Sequence, residues 1–235
     1  MAESTEKGAT QQAQPVTAKT ASLSTEELIE KYKTPALAGL AAIVLLIGGF
    51  AFYKYNQAEN NKLAQAEMYQ AVFYFEQDSL DLALKGIESK EIKGLQEVAD
   101  EYSGTQAGKL AAFYTGLIYL KQAKFQEAVD YLGKYDSNEG IMQARSWSLM
   151  GDAYSELNET ENAITYYKKA ADYKGNEQLT PSYLMKLGLA YELGNNMKAA
   201  SETYDKVITE YPKSQDVADA KKYKAKALAA LSASE

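Results

Sequence analysis

Histidine and cysteine are both absent from this 235-residue chain. Their absence excludes a serine–histidine or cysteine–histidine nucleophilic system, an ordinary zinc site and a disulfide within the chain. Cysteine-free sequence suits either redox compartment, so it does not place the protein. Basic runs are lacking too: the net charge is −7 and no stripe of Lys or Arg stands out, which argues against nucleic acid as the main partner. No glycine-rich phosphate loop is present. The acid pair Asp78/Asp81 sits in "DSLDLALKGIES", which lacks the ligand rhythm and central glycine of a calcium loop. Glu159/Glu161 lie in "NETEN", where a turn between helices calls for polar residues. These absences point away from an enzyme, a cofactor, a metal and a small-molecule substrate.

What is present begins with a long apolar run. "PALAGLAAIVLLIGGFAFY", residues 35–53, carries no charge and shows no polar face. As a helix it spans about 28 Å at 1.5 Å per residue, close to the hydrocarbon thickness of a bilayer. Tyr32 on one side and Tyr53 and Tyr55 on the other suit the headgroup level. The small residues of "GFA" at 49–51 resemble a cleavage site, but the 34 residues before the run are too many for an ordinary signal peptide. An uncleaved anchor is the better reading. Lys19, Lys31 and Lys33 precede the run and Lys54 and Lys62 follow it, a bias that puts the N-terminus in the cytoplasm.

The arm 1–22 is rich in Ala, Thr, Gln and Ser, and its composition predicts disorder. Residues 23–34 predict a short juxtamembrane helix, with Ser24 as N-cap and Glu27 completing a capping box. Beyond Tyr55 the pattern is helical almost throughout.

A glycine then recurs where a helix should not want one, since glycine costs about 1 kcal/mol against alanine in a helix interior. In "WSLMGDAY" Trp147, Gly151 and Tyr154 follow each other by four and three. Gly116–Tyr119–Ala128, Gly151–Tyr154–Ala163 and Gly188–Tyr191–Ala200 share one spacing, with Tyr three and Ala twelve residues after Gly. The glycines lie 35 (151 − 116) and 37 (188 − 151) residues apart, a period that marks stacked helical hairpins. Close helix approach explains the glycine: each is predicted to face the alanine of the second helix, while the tyrosines and Trp147 fill the space one turn away, toward the next unit.

On these residues the chain resembles the tetratricopeptide repeat family. Trp147, Met150, Gly151, Tyr154, Ala163, Tyr167 and Ala170 occupy signature positions in one unit. Leu184, Leu187, Gly188, Tyr191, Ala200, Tyr204 and Pro212 do so in the next, and Gly116, Tyr119, Phe125 and Ala128 in the one before, where Tyr135 replaces a small residue. Together with the apolar run, the resemblance implies an all-α fold: one transmembrane helix (35–53), read from that run, followed by a superhelix of hairpins over 56–235. Its predicted parts are an irregular first unit (58–105) with Leu63, Ala66, Tyr69 and Phe73 at helical spacing, repeats at about 109–142, 144–177 and 181–212, and a capping helix at 214–233.

Family groove positions, carried over, fall on Leu110, Phe113, Leu117 and Leu120; on Arg145, Ser148, Asp152 and Ser155; and on Ser182, Met185, Leu189 and Glu192. Phe113, Leu117, Ser148 and Asp152 stand where the family's carboxylate clamp has Lys and Asn, so that clamp is not expected. The strip Leu110–Phe113–Leu117–Leu120 is either covered by the irregular first unit, as the rarity of large exposed apolar patches favours, or open to a segment of another protein.

The layout of arm, anchor and repeats, with "EYSGTQAGKLAA", also resembles the YfgM-type ancillary subunits of the bacterial Sec translocon. That resemblance implies an inner-membrane scaffold with its repeats in the periplasm, whose partners are translocon subunits and periplasmic chaperones. Two other roles fit the same sequence: a coordinator of envelope assembly or division, and a regulatory adaptor facing the cytoplasm.

Overall fold

A computed structural model describes residues 24–137 and 140–233. The expected disorder of 1–22 lies outside the described residues, as does the side chain of Glu27. The described chain is almost entirely helical: α1 (Thr25–Glu76), α2 (Leu80–Lys85), α3 (Leu95–Glu101), α4 (Gln106–Lys121), α5 (Phe125–Gly133), α6 (Gly140–Glu156), α7 (Thr160–Asp172), α8 (Thr180–Leu193), α9 (Met197–Glu210) and α10 (Val217–Ala233). Two short strands, β1 (Gly86–Ile87) and β2 (Ile92–Lys93), pair antiparallel between α2 and α3.

Contacts divide the chain into two units, one ending at Phe52 and one running from Tyr53 to Glu235. In the first, α1 begins directly after Ser24 and runs through Pro35 without a break, so residues 25–34 lead straight into the apolar run. The proline removes one bond of the helical ladder. This is the one described helix long and apolar enough to cross a membrane: its most apolar window has a mean hydropathy of 2.2, and none of that window is buried.

In the second unit each helix from α2 onward packs on the next in chain order, making hairpins that stack. The helix-to-helix turns share one geometry. Asp78, Ala123, Asn158 and Asn195 all adopt left-handed φ values, between 56° and 60°. The next residue's N–H then donates back to a tyrosine carbonyl: Ser79 to Tyr74, Lys124 to Tyr119, Glu159 to Tyr154 and Asn196 to Tyr191. This reverse turn satisfies carbonyls that the ending helix leaves unpaired.

The shared turn shows that the irregular first unit is a hairpin of the same kind. Tyr74 stands where Tyr119, Tyr154 and Tyr191 stand, which puts Ala71 at the glycine position and Ala83 at the alanine position; both are fully buried. The second helix of this unit is broken. After Lys85 the chain leaves as β1, a 3-10 turn at Glu88–Lys90 and β2, then resumes as α3. The detour Gly86–Lys93 is eight residues long (93 − 86 + 1). Its ends are pinched: Gly86 has φ +73° and a Cβ there would lie 2.0 Å from the Ile92 carbonyl oxygen, while one on Gly94 would lie 2.1 Å from that of Leu84. Only glycine tolerates both positions. α3 is thus the second part of that helix.

The side of α1 that faces the core is not the one that carries Leu63, Ala66, Tyr69 and Phe73. Ala64, Met68 and Ala71 are buried with Leu84, Leu95, Val98 and Ala111, and Asn61 Oδ1 accepts from the Ala107 N–H at the start of α4 (2.8 Å). Leu63, Ala66, Tyr69 and Phe73 point away and are exposed. A second core joins Tyr167, Tyr183, Leu184, Leu187, Tyr204 and Val207, and α10 covers its end with Ala220 and Ala227.

Candidate interaction groove

The nearest neighbours of the recurring glycines are large side chains of the second helix. A Cβ on Gly116 would meet Leu132 Cγ at 2.6 Å, one on Gly151 would meet Tyr167 Cδ1 at 2.5 Å, and one on Gly188 would meet Tyr204 Cε1 at 2.3 Å. In each case the neighbour lies sixteen residues on, one turn past the alanine. Ala128, Ala163 and Ala200 are fully buried beside that contact. Glycine therefore makes room for a large side chain of the second helix.

The aromatic positions make ring contacts inside their own hairpin, while Trp147 and Tyr154 also pack against the core that the next hairpin shares. Tyr119 lies 5.6 Å from Tyr131, Trp147 meets Tyr173 edge-on at 5.0 Å, and Tyr154 stacks on Tyr166 at 5.3 Å. Tyr119 alone among them has a hydroxyl donating to a preceding unit, to Gln96 Oε1 (3.0 Å). Tyr191 is half-buried against the second core. Pro212 is exposed in the turn after α9.

Two of the three rings or chains seated over glycine carry a hydroxyl, and each hydroxyl has a carboxylate. Tyr167 donates to Asp152 Oδ1 (2.8 Å) and Tyr204 to Glu192 Oε1 (2.9 Å). A lysine from the following unit completes each pair. Lys186 Nζ reaches both Asp152 oxygens, at 2.8 and 2.7 Å, and Lys226 Nζ reaches Glu192 Oε2 at 2.7 Å. Burial foremost, then the adjoining carboxylate, raises both phenols well above their usual range. Lys226 is raised by the hydrogen bond and charge of Glu192. These tyrosines stay protonated donors at neutral pH.

The two Tyr–acid–Lys sets flank a groove of about 370 Å3 lined by Ser155 of α6, Tyr167 of α7, Leu189, Ala190, Glu192 and Leu193 of α8, Lys186, and Lys226 of α10. Leu189 and Leu193, one turn apart, are 39% and 66% exposed. A larger hollow of about 710 Å3 lies at the hinge loops among Glu177, Glu210, Tyr211 and Pro212. It has no large exposed aliphatic anchor, so the α6–α8–α10 groove is the better docking candidate.

The groove positions taken from sequence divide between surface and interior. Asp152 and Leu189 belong to this site, with Ser155 and Glu192. Arg145 is exposed, Ser182 half-buried, and Met185 is packed against the second core. Ser148 is buried, with its hydroxyl 3.4 Å from Lys186 Nζ. Phe113 is 2% exposed with its ring 5.4 Å from Tyr135, while Leu110, Leu117 and Leu120 are half-buried on the first core. The apolar strip on α4 is therefore not an open row. Sequence reading missed the tyrosine–carboxylate pairs and Lys186 and Lys226; the visible signal was a Tyr sixteen residues after each of two glycines. Among the described residues no group of three or more acidic side chains converges as metal ligands do.

Two family models, each of a tetratricopeptide repeat, match the sequence over residues 144–177 and 182–214. These segments coincide with the α6–α7 and α8–α9 hairpins. No curated protein matches the chain. The fold is all-α and built on tetratricopeptide hairpins, an architecture that serves as a scaffold for binding other proteins.

Proposed function

We propose that this chain is a single-pass membrane protein whose repeat domain is a non-catalytic docking platform, and that the α6–α8–α10 groove takes an apolar segment of a partner protein. One observation carries the reading: Leu189 and Leu193 stand open at i and i+4 between lysines already fixed by carboxylates. Fully burying a leucine contributes about 1.5–3 kcal/mol. Fixing the flanking side chains beforehand lowers the entropy cost of binding. Because Asp152 and Glu192 neutralise Lys186 and Lys226, the groove favours an apolar segment over a bare carboxylate.

The partners we propose are subunits of the Sec translocon and periplasmic chaperones, with the repeats in the periplasm of a bacterial inner-membrane protein. Support comes from the layout and from the lysine bias across the apolar run. The mechanism is tethering: confinement to the membrane raises the effective concentration of a bound chaperone near an emerging chain.

Photo-crosslinking from Leu189 in intact cells tests the site and its partners together. Translocon or chaperone adducts that disappear with Leu193→Asp are the expected result. Adducts no stronger than those from exposed Lys206 overturn it. Protease added to spheroplasts should degrade the repeat domain; protection until the inner membrane is breached overturns the periplasmic placement.

A further inference from the structure

The unit that runs from Tyr53 to Glu235 begins with a hairpin whose two ends differ in chemistry, and the bonds between α1 and α4 define those ends. At one end Gln57 Nε2 donates to the Gly104 carbonyl and, at 3.4 Å, to the Tyr53 hydroxyl. Asn61 Oδ1, one turn on, accepts from the Ala107 N–H (2.8 Å). At the other end Lys121 Nζ meets Asp78 Oδ1 at 2.7 Å. α4 therefore runs alongside this part of α1 in the same direction, and the exposed Ser103–Gly104 turn is tied to the residue one helical turn past Tyr53. Residues 53–58 and 102–109 each carry one lysine and no acid. The acids nearest to them in sequence are paired: Glu59 with Lys62 at 2.9 Å and Glu101 with Lys93 at 2.5 Å. Exposed Asp136 lies 3.9 Å from Lys109. The far end instead gathers Glu76, Asp78 and Asp81 within six residues.

We propose that the Ser103–Gly104 turn rests on phospholipid headgroups, forming one lipid-contacting surface with Tyr53, Lys54 and Tyr55. The proposal builds on the single-pass reading above, in which Tyr53 and Tyr55 lie at headgroup level. Gln57 is four residues, about 6 Å of helix, beyond Tyr53. The polar layer on each side of the hydrocarbon is roughly 5–7 Å deep, so a turn bonded to Gln57 reaches it. Charge selects the same end. Headgroup phosphates repel uncompensated carboxylates, and the acid-rich end at Glu76 stands about 28 Å farther along the helix. Exposed Asn56, Ser103 and Gln106 add neutral hydrogen-bond donors suited to phosphate oxygens.

The absence of native cysteine makes single-site labelling direct. Tyr55→Cys, Ser103→Cys and Glu76→Cys, all at exposed positions, are made separately in the full-length chain and coupled to a fluorophore. Each is reconstituted into vesicles of phosphatidylcholine and phosphatidylglycerol that include a lipid with a nitroxide on its headgroup. The nitroxide should quench the Ser103→Cys label nearly as strongly as the Tyr55→Cys label, and several-fold more than the Glu76→Cys label. Strong quenching at Tyr55→Cys with Ser103→Cys no higher than Glu76→Cys overturns the proposal and leaves the membrane anchor standing. Absence of quenching at all three positions overturns the anchor reading, and the proposal with it.

Discussion

Gly188 and Tyr204 touch with nothing between them: a Cβ on the glycine would stand 2.3 Å from Cε1 and 2.6 Å from Cζ of the ring. The ring cannot swing aside cheaply, since it is fully buried and its hydroxyl is bonded to Glu192. Alanine at 188 gains about 1 kcal/mol of helix propensity, but overpacking a filled core costs about 1–3 kcal/mol. With so short an approach the clash should prevail. Gly188→Ala is expected to lower stability by about 1–2 kcal/mol net in denaturant melts. The cost should shrink when Tyr204→Leu is already present, because the two sites share one space. An unchanged midpoint for Gly188→Ala would remove the steric account of the repeat.

The Gly86–Lys93 detour sits between two helix pieces whose ends already adjoin, with Gly94 packed on the Leu84 carbonyl. The buried positions of α3 also follow the register of the uninterrupted second helices: eight residues subtracted, Leu95 stands sixteen after Ala71, as Leu132 stands sixteen after Gly116. Excising the eight residues should therefore yield a folded protein whose first unit has an unbroken second helix. Cooperative melting with undiminished helical ellipticity per residue is the expected outcome. The loss of Lys93, held 2.9 Å from Glu67 and 2.5 Å from Glu101, should cost little, since exposed ion pairs contribute about 0–1 kcal/mol. Collapse of the melt would show that the detour is structural.

Which parts of this fold were legible in the sequence follows from which residues break a local rule. Gly116, Gly151 and Gly188 oppose helix propensity, so their shared spacing with tyrosine and alanine exposed three hairpins. Ala71 breaks no rule, and the eight-residue detour displaces everything after Ala83, so the first hairpin was hidden. The core side of α1 is not legible in the sequence because apolar residues lie on both sides, and Leu63, Tyr69 and Phe73 are larger than the Ala64 and Ala71 that are buried. Phe113 and Ser148 sit at groove positions of the family but point into this protein's interior. Side-chain partners across hairpins, such as Lys186 with Asp152, depend on stacking register and leave little trace in spacing.

Alkaline pH should weaken the fold through its tyrosines. Burial, with Asp152 beside it, raises the Tyr167 phenol far above its usual value, and burial with Glu192 does the same for Tyr204. Burial and the hydrogen bond to Asp100 push Tyr131 up to about 12. In the unfolded chain these phenols ionise near pH 10 (about the free value) while the folded chain keeps their protons. The unfolded state then binds fewer protons, so stability is fully present below about pH 10 and falls as pH rises beyond it. Denaturant midpoints should drop above about pH 10 in the native chain, and drop less steeply in the Tyr167→Phe, Tyr204→Phe double variant. Parallel slopes would mean that these phenols do not govern the alkaline limb.

Asp152 serves two donors of unequal standing, and its removal should separate them. The Lys186 side chain is 37% exposed and its ammonium can turn to water, so Lys186→Ala should change stability by less than about 1 kcal/mol. The Tyr167 hydroxyl sits in a residue only 5% exposed, and losing its acceptor strands a buried donor, which costs about 1–3 kcal/mol. Asp152→Ala should therefore cost clearly more than Lys186→Ala. Tyr167→Phe removes the stranded donor, so in that background Asp152→Ala should lose most of its effect, giving a coupling of about 1 kcal/mol or more in a double-mutant cycle. Additive costs would show that the carboxylate supports the hairpin through something other than this hydroxyl. If the groove binds through Leu189 and Leu193, Lys186→Ala should still weaken crosslinking from Leu189, because the loosened Asp152 no longer holds one wall in place.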